Sequence, residues 1–212
     1  MISMSLLVLL LAVSPLPPAE ARARLDAMTA GRGYTTEQLN SRWANSALAA
    51  RDPDARALFR RVYTEQWALH AEEISGAETR AVLRRNSDWL KGVLARIGWF
   101  DISRYGAEAS QAAWLIVQHS DHDRAWQEQV LADLAPRVAR GDMQRTYYAY
   151  LIDRVAVNAG RPQTYGTQGR CDGPGNLILR EVADRDNLDR RRADMGLESL
   201  ADYTIRFCGR RE

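Results

Sequence analysis

Lysine is almost missing from this chain: Lys91 stands alone among 29 basic residues, so arginine carries nearly all of the positive charge. Such a skew fits GC-rich coding better than selection for a ligand. Acidic residues number 27 and leave a formal net charge of +2, too small for the field that nucleic-acid binding uses. Long apolar runs are also scarce. The one at residues 5–13 falls well short of the ~20 residues that span a bilayer, so no transmembrane anchor is expected. The only cysteines are Cys171 and Cys208, and neither has a CxxC neighbour, which argues against a zinc knuckle and a dithiol redox centre. GxSxG, HExxH, GxxxxGK[ST] and GxGxxG patterns are absent too, so the common hydrolase, zincin, nucleotide and NAD chemistries have no support. Neither a cofactor nor a metal is expected.

What is present begins with an export pattern. The apolar run is broken by Ser14-Pro15-Leu16-Pro17-Pro18, and Ala19-Glu20-Ala21 then supplies the small-x-small pattern read by signal peptidase. We read residues 1–21 as a signal peptide cleaved after Ala21, although no Lys or Arg precedes the run. Residues 22–212 would then be a periplasmic or secreted protein with no membrane anchor. An even cysteine count suits an oxidising compartment, and Cys171 and Cys208 are expected to pair. With 46% hydrophobic and 26% charged residues, the mature chain can bury one ordinary core, and a single domain is the default.

Periodicity makes that domain mainly α. Thr35-Thr36-Glu37-Gln38 has the form of a capping box opening a helix toward Ala50, and Asp52-Pro53 opens the next, with Ala55, Phe59, Val62 and Leu69 at helical spacing. Ser75-Gly76 breaks it. Residues 77–97 form a third helix ended by Gly98, and residues 107–119 a fourth, apolar on every side around Trp114-Leu115-Ile116-Val117 and therefore central. Ser120-Asp121-His122-Asp123 starts another helix that runs through Trp126, Val130, Leu131 and Leu134 to Gly141 with Pro136 as a kink, and Asp142 is expected to cap the last long helix, residues 143–159. Beyond Gly160 and Pro162 the pattern changes. Gln163-Thr164-Tyr165-Gly166-Thr167-Gln168 and Leu177-Ile178-Leu179-Arg180-Glu181-Val182 flank a Gly/Pro-rich stretch, which reads as a small β-hairpin over about residues 163–182. Short helices at residues 186–195 and 200–203 lead to a disulfide-tied tail. Arg190-Arg191-Arg192, interleaved with Asp186, Asp189 and Asp194, reads as a solvated helix face.

Two polar residues stand where apolar ones belong. His119 follows Leu115 and Ile116 on the most buried helix, and Asp153 has Ala149, Tyr150, Ala156 and Val157 as its helical neighbours. Three readings follow. Ser120-x-x-Asp123 can be a capping box with His119 bridging two helices; His119 and Asp123 can meet a cation at i,i+4; or His119 and Asp153 can form an acid–base dyad. The capping signal at Ser120 interrupts the second. Gln163, Tyr165 and Thr167 would share one strand face and Thr164 and Gln168 the other, a polar wall beside Tyr147, Tyr148 and Tyr150 that serves either as core or as a ligand surface.

Read together, Gly98-Trp99, Gln118-His119-Ser120-Asp121, Ala149-Tyr150-Leu151-Ile152-Asp153-Arg154, Gln163-Thr164-Tyr165-Gly166-Thr167-Gln168 and Arg191-Arg192-Ala193-x-x-Gly196-Leu197 resemble an uncharacterised bacterial family, domain of unknown function 6624, over residues 86–203. Phe100 and Arg124 stand where that family commonly has proline. The resemblance implies no activity. It does gather His119, Asp121, Asp153, Arg154, Tyr165 and Gln168 into one candidate site. His119 and Asp153 are the candidate catalytic pair, and Asp121, Tyr150, Arg154, Gln163, Tyr165, Thr167 and Gln168 are the candidate ligand contacts. The first functional expectation is a cell-envelope binding module for a small polar ligand or a protein partner. The alternatives are a His/Asp-dependent hydrolase or lyase acting on envelope material, and a purely structural interaction protein.

Overall fold

The computed structural model describes residues 18–29 and 51–209, and among them eight α-helices and one two-stranded hairpin. The signal-peptide run and the helix expected after Thr35 lie outside the described residues. The described chain divides into two units at Trp99/Phe100. No helix among the described residues is long and apolar enough to cross a membrane.

The first unit contains α1 (Pro18–Thr29), α2 (Pro53–His70) and α3 (Gly76–Ile97). Asp52 caps α2 as its sequence predicts, accepting from the Ala55 N–H at 2.9 Å with Pro53 in the first turn. The expected stripe is buried at Ala55, Phe59 and Val62, whereas Leu69 is exposed. Ser75 does more than end α2. It starts α3 with a complete capping box, its hydroxyl receiving the Glu78 N–H while the Glu78 carboxylate receives the Ser75 N–H. Gly98 closes α3 at φ +73°. Ala21, Leu25 and Met28 of α1 pack with Trp67, Ala68, Ile74 and Val82, so the segment containing the expected cleavage point forms part of an apolar cluster.

The second unit contains α4 (Ile102–Gln118), α5 (Arg124–Ala139) and α6 (Arg145–Asn158), followed by β1 (Gly169–Cys171), β2 (Leu177–Leu179), α7 (Leu188–Asp194) and α8 (Leu200–Cys208). Gly106, at φ +81° and ψ +163°, interrupts α4, so its long regular part begins at Ala107 as expected. Burial of Ala109, Ser110, Ala112, Ala113, Trp114, Ile116, Val117 and Gln118 covers nearly its whole circumference, the property that made it central in sequence. Asp123 caps α5 by receiving the Trp126 N–H at 3.1 Å. Ser120 is not the cap. Its hydroxyl turns back to the Ile116 carbonyl at 2.7 Å.

Asp142 departs from its expected role. Instead of capping α6, it receives the Ser103 N–H at 3.1 Å and Arg140 Nε at 2.7 Å, thereby serving the N-terminus of α4. These hydrogen bonds, Ser103 first and Arg140 next, lower its pKa to about 2. A carboxylate depressed in the folded state stabilises the fold above its unfolded pKa, about 4, and loses that contribution as pH falls through the folded value. The melting temperature of Asp142→Asn is therefore expected to fall less between about pH 5 and about pH 2 than that of the wild type. Equal slopes would assign the acid sensitivity elsewhere.

The hairpin is present, its second strand falling within the expected Leu177–Val182 segment and its first inside the stretch read as the tip: Gly169 pairs with Leu179 and Cys171 with Leu177, antiparallel. Of the expected first strand, Gln163 alone makes a β-bridge, to Val182. Cys171 and Cys208 are joined and tie the hairpin to the end of α8 across a separation of 37 residues. Closing a loop of that size contributes about 3–4 kcal/mol in the chain-entropy picture. Denaturant unfolding with and without reductant should differ by that amount, with linked Cys171 and Cys208 peptides in non-reduced digests. Two free thiols in the oxidised protein would refute the pairing.

Candidate functional site

The site is built around Asp153, wholly buried on α6. Its Oδ1 receives the N–H groups of Thr164 at 2.7 Å and Tyr165 at 3.0 Å. Its Oδ2 receives the Thr167 N–H and the Thr167 hydroxyl, both at 2.9 Å, and the Tyr165 N–H more distantly at 3.2 Å. Both oxygens act only as acceptors, the behaviour of an ionised carboxylate. Among the described residues every hydrogen bond to this carboxylate comes from the 164–167 loop. The expected His119–Asp153 contact is thus replaced by a carboxylate-to-backbone clamp, because three converging N–H groups satisfy the buried charge more completely than one imidazole.

The carbonyls of the same loop point to arginine. Arg191 Nε donates to Thr164 O at 3.0 Å, and Arg192 Nη1 donates to Tyr165 O at 2.6 Å and to Gly166 O at 3.4 Å. Tyr203 completes the set by donating its hydroxyl to Thr167 O at 3.1 Å. At the ends, the Gln163 side chain receives the Gln168 N–H at 2.8 Å and donates to Gln168 O and Arg180 O, both at 2.9 Å. Gly166 turns the chain at φ +63°, where an added Cβ would sit 3.3 Å from Leu188 Cδ2. The YGTQ segment is therefore an irregular loop held at nearly all of its backbone groups, not a strand with two faces. Gln163, Thr167 and Gln168 are buried and hold the loop from within.

Asp153 and Arg192 are both fully buried, yet no ion pair joins them among the described residues. The peptide groups of residues 164–167 stand between, N–H ends toward the anion and C=O ends toward the cation. One peptide unit, Gly166–Thr167, touches both charges, and the Thr164–Tyr165 unit likewise lies between Asp153 and Arg191. Each buried charge is otherwise solvated by neighbouring loop dipoles, which offsets the cost of burying it. The triple-arginine run is accordingly not a solvated face: Arg190 is exposed, Arg191 is half-buried, and Arg192 is buried. Burial pulls the Arg192 pKa down, against the opposing effects of Tyr150, Tyr203, Asp189 and Glu198.

His119 sits at the C-cap of α4, half-buried, its N–H bonded to Leu115 O at 3.1 Å. The turn from Ser120 to His122 separates it from Asp123, whose side chain caps α5, so the two do not share a helical face. Asp121 and Arg154 belong to a different network. Asp121 receives Asn158 Nδ2 at 2.7 Å, Gln127 Nε2 at 3.3 Å and Arg154 Nη1 at 3.5 Å, joining the start of α5 to the end of α6.

Tyr150 and Tyr165 are half-buried. The Tyr165 phenol lies near Tyr148, Arg191 and Asp194; burial first, then Asp153 and Tyr148, raise its pKa, and burial alone raises that of Tyr148. Tyr150 stands edge-on to Trp114, with centroids 6.2 Å apart, and to Tyr203 at 6.4 Å. The Arg192 guanidinium lies 4.9 Å from the Tyr203 ring centre. Arg192, Tyr203 and Trp114 were not singled out from sequence as site residues. The RRxxxGL motif was the available signal for the first; nothing local marks the other two.

No curated protein and no solved structure matches the chain. A family model described as a family of unknown function, DUF6624, matches residues 46–209, more than half of the chain, and takes in α2 and α3 of the first unit and the described residues of the second. Its extent includes the Asp153 helix, the clamped loop and the arginines that hold it, and the chain belongs to this family, DUF6624.

Proposed function

We propose that this protein is an exported binding domain, and that the clamped 163–168 loop with Tyr165 at its apex is the surface that meets a small polar ligand. The observation that carries this reading is the engagement of Asp153: its two oxygens are spent on loop donors and closed to solvent, which suits a scaffold and not a general base. An anchored backbone also reduces the ordering cost of binding. Tyr165 is the loop's outward polar group. Its hydroxyl lies near Tyr148, Arg191 and Asp194, and the raised pKa keeps it a neutral phenol that can both donate and accept. The Cys171–Cys208 bond and the N-terminal pattern support a periplasmic or secreted location.

A thermal-shift screen of polar metabolites and envelope fragments, run on wild type and Tyr165→Phe, tests the reading. Both proteins should melt alike without ligand, and a compound that stabilises the wild type should lose roughly tenfold in affinity for the variant, the effect of one lost hydrogen bond. A compound that is turned over, with activity abolished by His119→Ala, would favour the hydrolase or lyase alternative instead.

A further inference from the structure

The helix α6, the helix α7 and the clamped loop meet in pairs, and a hydrogen bond fixes each pair. Asp153 of α6 receives the Tyr165 N–H at 3.0 Å, Arg191 of α7 donates to Thr164 O at 3.0 Å, and Arg145 of α6 donates through Nη1 to Asp194 O at 3.3 Å. One further side chain stands beside each contact. Tyr148 follows Arg145 by three residues and shares its helical face, Asp194 follows Arg191 by three, and Tyr165 adjoins Thr164. The three are therefore drawn to one junction, where the Tyr165 phenol senses both Tyr148 and Asp194. Tyr148 and Tyr165 are half-buried, and Asp194 is exposed. Among the described residues no hydrogen bond or ion pair engages the two phenol hydroxyls or the Asp194 carboxylate.

We infer that this junction binds a neutral saccharide, with the Asp194 carboxylate receiving its hydroxyls and the rings of Tyr148 and Tyr165 against its C–H side. The inference rests on the reading of the Tyr165 loop as a binding surface and names the ligand's chemical class. A carboxylate only accepts and a phenol does both, so the uncommitted groups suit a ligand rich in donors. An anion fits poorly. Every nitrogen of Arg191 already donates, Nε to Thr164 O, Nη1 to Asp184 and Nη2 to Ala183 O, and the Asp194 charge repels an anion. An ammonium ion donates too, but charge argues against it. Asp184 matches Arg191 at 3.0 Å and Arg145 stands at Asp194, so the junction holds no surplus negative charge. Sugar hydroxyls donate without carrying charge. Burial raises the pKa of both phenols, which keeps them as neutral groups able to hydrogen-bond in either sense. The negative face of an aromatic ring attracts the weakly positive C–H side of a pyranose, and two rings beside one carboxylate supply both kinds of contact.

The probes are glucose, N-acetylglucosamine and a trisaccharide of each, titrated into the full chain with choline chloride and sodium acetate as cationic and anionic controls. Aromatic proton–carbon spectra follow the Tyr148 and Tyr165 rings, assigned through Tyr148→Phe and Tyr165→Phe. A sugar of the panel should move both ring signals saturably, while neither control does. Asp194→Asn should melt like the wild type, since its carboxylate holds nothing in the fold, and should bind that sugar roughly tenfold more weakly. Ring signals indifferent to every sugar of the panel, signals that answer to choline or acetate instead, or an affinity unchanged in Asp194→Asn overturn the proposal. The two readings fail separately. A charged ligand that loses affinity in Tyr165→Phe but not in Asp194→Asn refutes the saccharide site and keeps the loop as a binding surface. A sugar that moves both rings and needs Asp194, yet binds Tyr165→Phe with wild-type affinity, keeps the saccharide junction and refutes the Tyr165 hydroxyl as the apex contact.

Discussion

Asp153→Asn is expected to destabilise the protein by about 3–5 kcal/mol, the cost of removing one member of a buried, hydrogen-bonded charge system. One amide position must present an N–H to donors that already point inward, the Thr164 N–H on one side or the Thr167 N–H and hydroxyl on the other. Rotating the amide only exchanges which donor is left facing a donor. For a chain of this length the loss corresponds to a fall of roughly 10 °C in melting temperature. Denaturant unfolding followed by near-ultraviolet circular dichroism measures it, since Tyr165 and Tyr203 are tied to the same loop. A variant that keeps wild-type stability while losing function would instead restore Asp153 to a place in the chemistry.

Much of the helical framework was legible because its signals are local. Asp52-Pro53, Gly98 and the apolar circumference of residues 107–118 act within a few residues of themselves, and each does what its position implies. Asp142 was misread for the opposite reason: it lies where a cap belongs, but the helix end it serves is 39 residues earlier in the chain. The site shows the same division. Asp153 and the YGTQ residues stood out correctly as polar groups in need of partners. Their partners were harder to see, since a carboxylate can be satisfied by backbone N–H groups, which no side-chain pattern advertises. Alternating polar residues at 163–168 imitated a strand, whereas Asp153, Arg191 and Arg192 supply the bonds that a neighbouring strand would have supplied. Arg192 resembled a surface residue because its run is rich in charge. Only the tertiary return of α8, bringing Tyr203 over it, makes it a core cation.

Removing that cation tests the account of the loop as a shared dielectric between two buried charges. Arg192→Met is expected to cost about 3–5 kcal/mol, comparable to the loss of Asp153, because Tyr165 O, Gly166 O and Glu198 O lose their donor while Asp153 loses the cation at the far end of the Gly166–Thr167 peptide. The two residues do not touch, so an arrangement of independent hydrogen bonds would give additive effects. If instead the peptide groups of residues 164–167 couple the charges, a second removal finds a system already relaxed. The double variant Asp153→Asn, Arg192→Met should then be less destabilised than the sum of the single variants by about 1–3 kcal/mol. Chemical denaturation of the four proteins closes the cycle. Additivity within about 0.5 kcal/mol would show that each charge is satisfied on its own, and that the loop between them is a bystander to their balance.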